Sequence, residues 1–190
     1  VRMGASTTIA TYLLPPVLAD FRTRYPAVKL RLVSANTRAI AALVLERRVD
    51  VALVEGPVAD TRLERRRWRA DELVVIVPAG HRLARRRSVA IAQLAAEPFI
   101  VRERGSGTRD VAERAFAEEG IHPPIALTLA STEAIKQAVA AGLGLAVVSR
   151  AAARDQLALG HLAALRITHF EMRRELTELR LRGRRLGAPA

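Results

Sequence analysis

The chain has 190 residues, half of them hydrophobic, 26% charged, and no cysteine. It is long enough for one large core or two small ones and too apolar for a disordered chain. The missing cysteine excludes disulfides, thiolate metal sites and a thiol nucleophile, and no apolar run approaches the roughly eighteen residues of a membrane span.

The formal net charge of +12 suggests a nucleic-acid partner. The cations, however, fall in scattered short groups: Arg65-Arg66-Arg67, Arg85-Arg86-Arg87, Arg173-Arg174 and Arg184-Arg185. Four Phe, two Tyr and one Trp are few for stacking bases, so these groups read as solvated surface.

Val1–Ala5 alternates loosely and reads as a strand, running into Ser6-Thr7-Thr8. No signal peptide is visible at Val1-Arg2-Met3-Gly4, and an opening on a strand suggests a fragment or excised domain. A helix follows with the stripe Ile9, Leu13, Val17, Leu18 and Phe21. Pro15-Pro16 must interrupt or restart it, and Tyr25-Pro26 stops it. Val28–Val33 alternates as a strand, Ser34 to Thr37 supplies caps, and Ile40, Leu43 and Val44 form the next helical stripe. Val49–Val54 reads as a strand buried on both faces, with Glu55-Gly56-Pro57 as its turn. This is β-α-β-α-β, the grammar of a parallel sheet. In such sheets ligands bind beyond the carboxyl ends of the strands, where Ser6-Thr7-Thr8, Ser34–Thr37 and Glu55-Gly56 fall.

Leu63–Arg69 and Glu72–Pro78 read as two more strands, and Ile91–Ala95 as a short helix. Phe99-Ile100-Val101 is a short strand, followed by Arg-Glu-Arg-Gly-Ser-Gly-Thr-Arg over Arg102–Arg109 and then a helix to Gly120. Two glycines allow close backbone approach, and Ser106 and Thr108 are good N-caps. The helix start would present free N–H groups to an anion, with Arg104 and Arg109 as added guanidinium groups. An ordinary capped turn has the same sequence, and the stretch is neither a P-loop nor a G-x-G-x-x-G fingerprint. Ile125–Ala130 is a strand, Ser131-Thr132-Glu133 caps a helix with the stripe Ile135, Ala138 and Val139, and Gly142 and Gly144 close it. Lys136, one turn inside, reads as a surface residue. Leu145–Val148 is a buried strand, Ser149 caps a helix to Leu159, and His161–Ile167 and Arg173–Arg182 look like strands. The chain thus holds two half-domains of one design, the last strand returning to the first half.

Taken in order, Gly4-Ala5-Ser6, Leu14-Pro15, Phe21 with Tyr25-Pro26, Asp50-Val51-Ala52-Leu53, Asp71-Glu72-Leu73-Val74, His81-Arg82-Leu83-Ala84, Arg102–Arg109, Ser131–Lys136 and Ala140–Gly144 resemble the effector-binding domain of LysR-type transcriptional regulators. The G-S-G-T-R and S-T-E-A-I-K segments are similar to the branch regulating carbon-fixation or sulfur and nitrogen genes. The resemblance implies an α/β, type 2 periplasmic-binding-protein fold: two Rossmann-like lobes joined by two crossover strands, with a ligand cleft between them. It implies lobe I over residues 1–77 and 170–190 and lobe II over 78–169. A winged helix-turn-helix and linker would lie upstream and outside this chain. Carried over by position, the effector contacts are Ser6, Thr7, Asn36, Glu55 and Gly56, facing Ser106, Gly107, Thr108, Ser131 and Thr132. Asn36 and Ser131 serve equally as plain N-caps. Glu55 would repel an anion, so either it points away or the ligand carries a donor.

The implied protein is a cytoplasmic sensor of a small, anionic metabolite. It would be a homodimer or homotetramer, with no cofactor or metal and no membrane contact, and would touch DNA only through the upstream segment. The rival reading is a solute-binding protein of a transport system. An enzyme is disfavoured, because no histidine neighbours a strand-end serine to act as its base, and His81, His122, His161 and His169 are dispersed without ligand spacing.

Overall fold

The computed structural model describes residues 1–183; Arg184-Arg185 and the rest of the expected end of lobe I lie outside the described residues. The chain divides into two compact units. Among the described residues, unit 1 comprises Val1–Ala70, Gly105–Gly107 and residues 175–183; unit 2 comprises Asp71–Arg104 and Thr108–Arg174.

In unit 1, β1 (Arg2–Ser6) leads into a π-helical turn at Ile9–Leu13 and then α1 (Leu14–Arg24). The proline pair does restart the helix: Pro15 and Pro16 sit in its first turn, where the missing N–H groups have no intrahelical acceptor. β2 (Arg31–Ala35), α2 (Thr37–Leu45) and β3 (Val51–Glu55) follow. β1 pairs in parallel with β2, Ser6 opposite Ala35, and with β3, Ala5 opposite Leu53. The expected parallel β-α-β-α-β is therefore present. β2 starts later than its alternation suggested, since Val28 to Leu30 lie outside it. Ile40, Val44, Val49, Ala52, Val54 and Leu63 form the core of this unit.

β4 (Leu63–Pro78) is one strand of 16 residues where two were expected. Its middle, Ala70-Asp71, contains no Gly, Pro or turn dipeptide to break it. In unit 2, a single 3₁₀ turn at Ile91–Leu94 replaces the short helix expected there. β5 (Phe99–Arg102), α3 (Gly107–Glu118), β6 (Ile125–Leu129), α4 (Thr132–Ala140), β7 (Ala146–Ser149) and α5 (Arg150–Ala158) come next. β8 (Leu162–Ala164) is shorter than the strand read at His161–Ile167, and β9 (Met172–Leu181) ends the described chain. β5 and β6 are parallel, whereas β4 pairs antiparallel with both β7 and β8. Two apolar clusters fill this unit, one around Leu83, Phe99 and Phe116, the other around Ile100, Ile135 and Val139. The last part of β9 belongs to unit 1, where it pairs antiparallel with β3.

Candidate functional site

The strand ends of unit 1 converge on Glu55. Its side chain is 2% exposed, and a carboxylate taken that far from water needs donors. Ser6 Oγ donates to Glu55 Oε1 at 2.7 Å and the Thr8 backbone N–H donates to the same oxygen at 3.2 Å. Thr37 Oγ1 donates to the Glu55 carbonyl at 2.7 Å. The residue that strains a simple anion-site picture is thus bound by the ends of β1 and α2. Thr7, half-buried, donates to the Ala35 carbonyl at 3.3 Å. Asn36 is the N-cap of α2, its Oδ1 accepting from the Ala39 N–H at 3.0 Å.

The Gly-Ser-Gly turn before α3 packs into the same region of unit 1. The Gly105 carbonyl accepts from the Arg38 N–H at 3.2 Å. Gly56, at φ +77°, faces Gly107 so closely that a Cβ on it would stand 3.0 Å from the Gly107 Cα. Ser6, Glu55, Ser106 and Gly107 are all buried, and with Thr7, Asn36 and Gly56 they make one neighbourhood built from strand ends and helix starts.

In unit 2, Thr108 is 4% exposed and its Oγ1 accepts from Arg174 Nη1 at 2.9 Å. Arg174 in turn grips Asp71, Nε to Oδ2 at 2.8 Å and Nη2 to Oδ2 at 2.7 Å, and Ser149 Oγ donates to Asp71 Oδ1 at 2.7 Å. At the start of α4, Ser131 caps through the Ala134 N–H at 3.3 Å, while Thr132 Oγ1 accepts from Arg102 Nη1 at 3.0 Å. Arg102, itself 4% exposed, also donates twice to Glu103, at 2.8 and 3.0 Å.

Of the arginines read as added guanidinium groups, Arg109 is turned to the Arg102 carbonyl and Glu113, and Arg104 is exposed. Among the described residues no group of three or more His, Asp or Glu is placed to hold a metal, and no helix is long and apolar enough to cross a membrane.

Thr8 and Thr37 fall at the strand ends that the sequence marks, whereas Asp71, Arg102, Ser149 and Arg174 are participants it does not mark as contacts. Arg174 was grouped with solvated surface arginines, yet it is 5% exposed. The signal was available in the strand period, because Met172, Arg174 and Leu176 alternate on the buried face of β9. Lys136, expected on the surface, is 2% exposed; its Nζ donates to the Ala152 carbonyl and Gln156 and pairs with Glu133.

With this geometry in view, comparison with known proteins defines the class. The LysR substrate binding domain family model matches residues 1–190, and the chain belongs to that family. The HTH-type transcriptional regulator CysL of Bacillus subtilis is 33% identical over 177 residues, covering 93% of this chain and 59% of that protein. The HTH-type transcriptional regulator CbbR of Xanthobacter flavus is 38% identical over 188 residues, covering 98% of this chain and 56% of that protein. This chain therefore spans less than two thirds of either relative. Among solved structures, the Synechocystis PCC6803 CcmR regulatory domain in complex with 2-PG superposes with a TM-score of 0.91 at 31% identity, covering 99% of this chain and 90% of that one. The fold is accordingly the α/β, type 2 periplasmic-binding-protein fold of LysR effector-binding domains, and the chain is an effector-sensing regulatory domain.

Proposed function

We propose that this domain senses a small anionic metabolite for a LysR-type transcription factor, through hydroxyl and backbone N–H donors at the starts of its helices. The observation that carries the reading is the Arg102–Thr132 contact. The hydroxyl uses a lone pair to accept from a buried guanidinium, which leaves its own proton available to donate at the start of α4. The guanidinium has its own counter-ion in Glu103, so the preference for a ligand with negative charge comes from the positive end of the helix at that donor. The neighbourhood of Ser6, Thr7, Asn36, Glu55, Gly56, Ser106 and Gly107 on unit 1, and Thr108, Ser131 and Thr132 on unit 2, are the proposed contact residues. The two compact units are the proposed lobes. The relative solved with 2-PG supports a small-molecule effector.

The whole protein acts without catalysis in this reading. It works in the cytoplasm as a homodimer or larger homo-oligomer and meets DNA through a segment outside this chain. Exposed apolar side chains support self-association: Val17 and Tyr25 at α1, Leu32 and Val33 on β2, Ile125 and Leu127 on β6. Effector binding acts by favouring one arrangement of the domain through differential affinity. Relatives that are transcription regulators disfavour the transport reading. Calorimetric titration with 2-PG, sulfate and a series of small carboxylates tests the proposal. Saturable binding of at least one anion, weakened by Thr132→Val without loss of folding, is expected; no binding by any of them, or binding unaffected by the substitution, overturns it.

A further inference from the structure

A groove of about 370 Å³, open to solvent beside the exposed Ile125, lies within unit 2, between α3 and the β5–β6 pair. Its walls are apolar: Phe99 and Val101 from β5, Ala112 and Phe116 from α3, and Ile121 and Ile125 beyond the helix. The gap has a structural cause. Phe99 and Phe116 meet edge-to-face with centroids 5.3 Å apart and act as a spacer, while the neighbouring helical position is only an alanine. At the Thr108 end of α3 the lining turns polar through Arg109, whose side chain is 13% exposed. Its Nη1 donates to the Arg102 carbonyl at 3.0 Å, and its Nε pairs with Glu113 at 2.6 Å. The two partners differ in kind: the carbonyl is fixed in β5, whereas the Glu113 side chain is 52% exposed and can rotate into water.

We propose that this groove is a second ligand site, adjoining the helix-start donors at Thr108, and that it takes a monocarboxylic acid with an apolar body. The carboxylate replaces Glu113 on Arg109, and the body fills the space between Phe99, Ala112 and Ile125. A largely desolvated guanidinium at one end of an apolar groove selects a single anionic head. The apolar walls exclude diacids and sugar phosphates, whose second polar end would lose its water there. The volume suits a ligand of about ten heavy atoms. Because Arg102 and Thr108 also line the groove, an occupant touches the start of α3, the same helix whose first residues belong to the proposed effector contacts.

Octanoate is the probe, with octan-1-ol and octylamine as neutral and cationic controls, titrated calorimetrically into the chain. Octanoate is expected to bind saturably, octanol at least about tenfold more weakly and octylamine not at all. Arg109→Gln should reduce octanoate to the level of octanol, and Ala112→Leu should abolish both by filling the groove. Ala117→Leu, nearer the mouth, replaces that variant if the former does not fold. Octanol binding as tightly as octanoate, octanoate binding that survives both substitutions, or no binding to the unaltered chain overturns the proposal. So does an octanoate effect confined to sedimentation behaviour, which would mean that a second copy of the chain occupies the groove.

Discussion

Gly107 and Glu55 meet backbone to backbone: a Cβ placed on Gly107 would stand 1.8 Å from the Glu55 carbonyl oxygen. No rotamer change relieves that clash, because both partners are main chain. Gly107→Ala must therefore push the start of α3 away from the end of β3, with a cost on the order of 3 kcal/mol. Thr37 Oγ1, which donates to the same carbonyl, would be disturbed with it. Chemical denaturation should show the loss, and effector binding should fall in the same variant. Gly80→Ala is the control, since a methyl placed there has nothing within 4 Å and the substitution should be close to neutral. Equal stability of the two variants would contradict the close approach.

Asp60 gives a prediction in pH. The side-chain hydrogen bonds from Arg62, Nε to Oδ1 at 3.0 Å and Nη2 to Oδ2 at 2.7 Å, together with the Arg62 backbone N–H at 2.9 Å, hold its carboxyl down at about 2. Depression of an acid means that the folded state favours the ionised form. The associated stability is present above the ordinary carboxylate value of 3.8 and is lost as pH falls from there through about 2. Arg62 is exposed and Asp60 half-buried, so water screens the pair, the effect on unfolding is minor and the titration itself is the measurement. Carboxyl-carbon NMR should find the Asp60 midpoint near 2, and Arg62→Ala should return it towards 3.8.

Much of this was legible in one dimension. Loose alternation located β1, continuous apolar runs located β3, β5 and β7, and Asn36 and Ser131 announced the starts of α2 and α4 as cap residues should. What stayed hidden was the interior use of charge. Glu55 meets Ser6 across 49 residues and Arg174 meets Asp71 across 103, and no local pattern encodes such pairings. Charged side chains are almost never fully buried unless paired, so reading Lys136 and Arg174 as surface residues follows the general tendency and misses the pairing. The continuous β4 was obscured for a different reason. Its first half is exposed and arginine-rich and its second half is buried and apolar, so one strand carries two patterns.

Lys136 braces α4 against α5. Its Nζ donates to the Ala152 carbonyl at 2.7 Å and to Gln156 Oε1 at 3.0 Å, with Glu133 at 2.5 Å. Lys136→Met keeps the stem's packing and removes every one of these bonds. Leaving a buried carbonyl without its charged donor costs about 2 kcal/mol, so the denaturation midpoint should fall accordingly. The α4 start, with Ser131 and Thr132, lies one turn away from the substituted position. A variant that loses stability while retaining anion binding would assign Lys136 to scaffolding alone; an unchanged midpoint would contradict the brace.

The Asp71–Arg174 pair lies where the chain passes between its two units: the boundaries fall at Ala70/Asp71 on β4 and Arg174/Glu175 on β9. Both side chains are nearly solvent-free, at 6% and 2% exposed, and Arg174 extends the contact to Thr108. Removing one member leaves a buried charge without its counter-ion, so Asp71→Ala or Arg174→Ala should each destabilise by about 3–5 kcal/mol. The double substitution Asp71→Leu with Arg174→Met removes both charges and should cost much less than the two single losses combined, because neither charge is then stranded. Thr108 distinguishes a purely structural pair from one that also serves the ligand. If Arg174 positions that hydroxyl, the double variant folds but binds the effector more weakly, and Thr108→Ala in that background adds little further loss. If the double variant binds as the unaltered chain does, the pair holds the two strands and has no part in recognition.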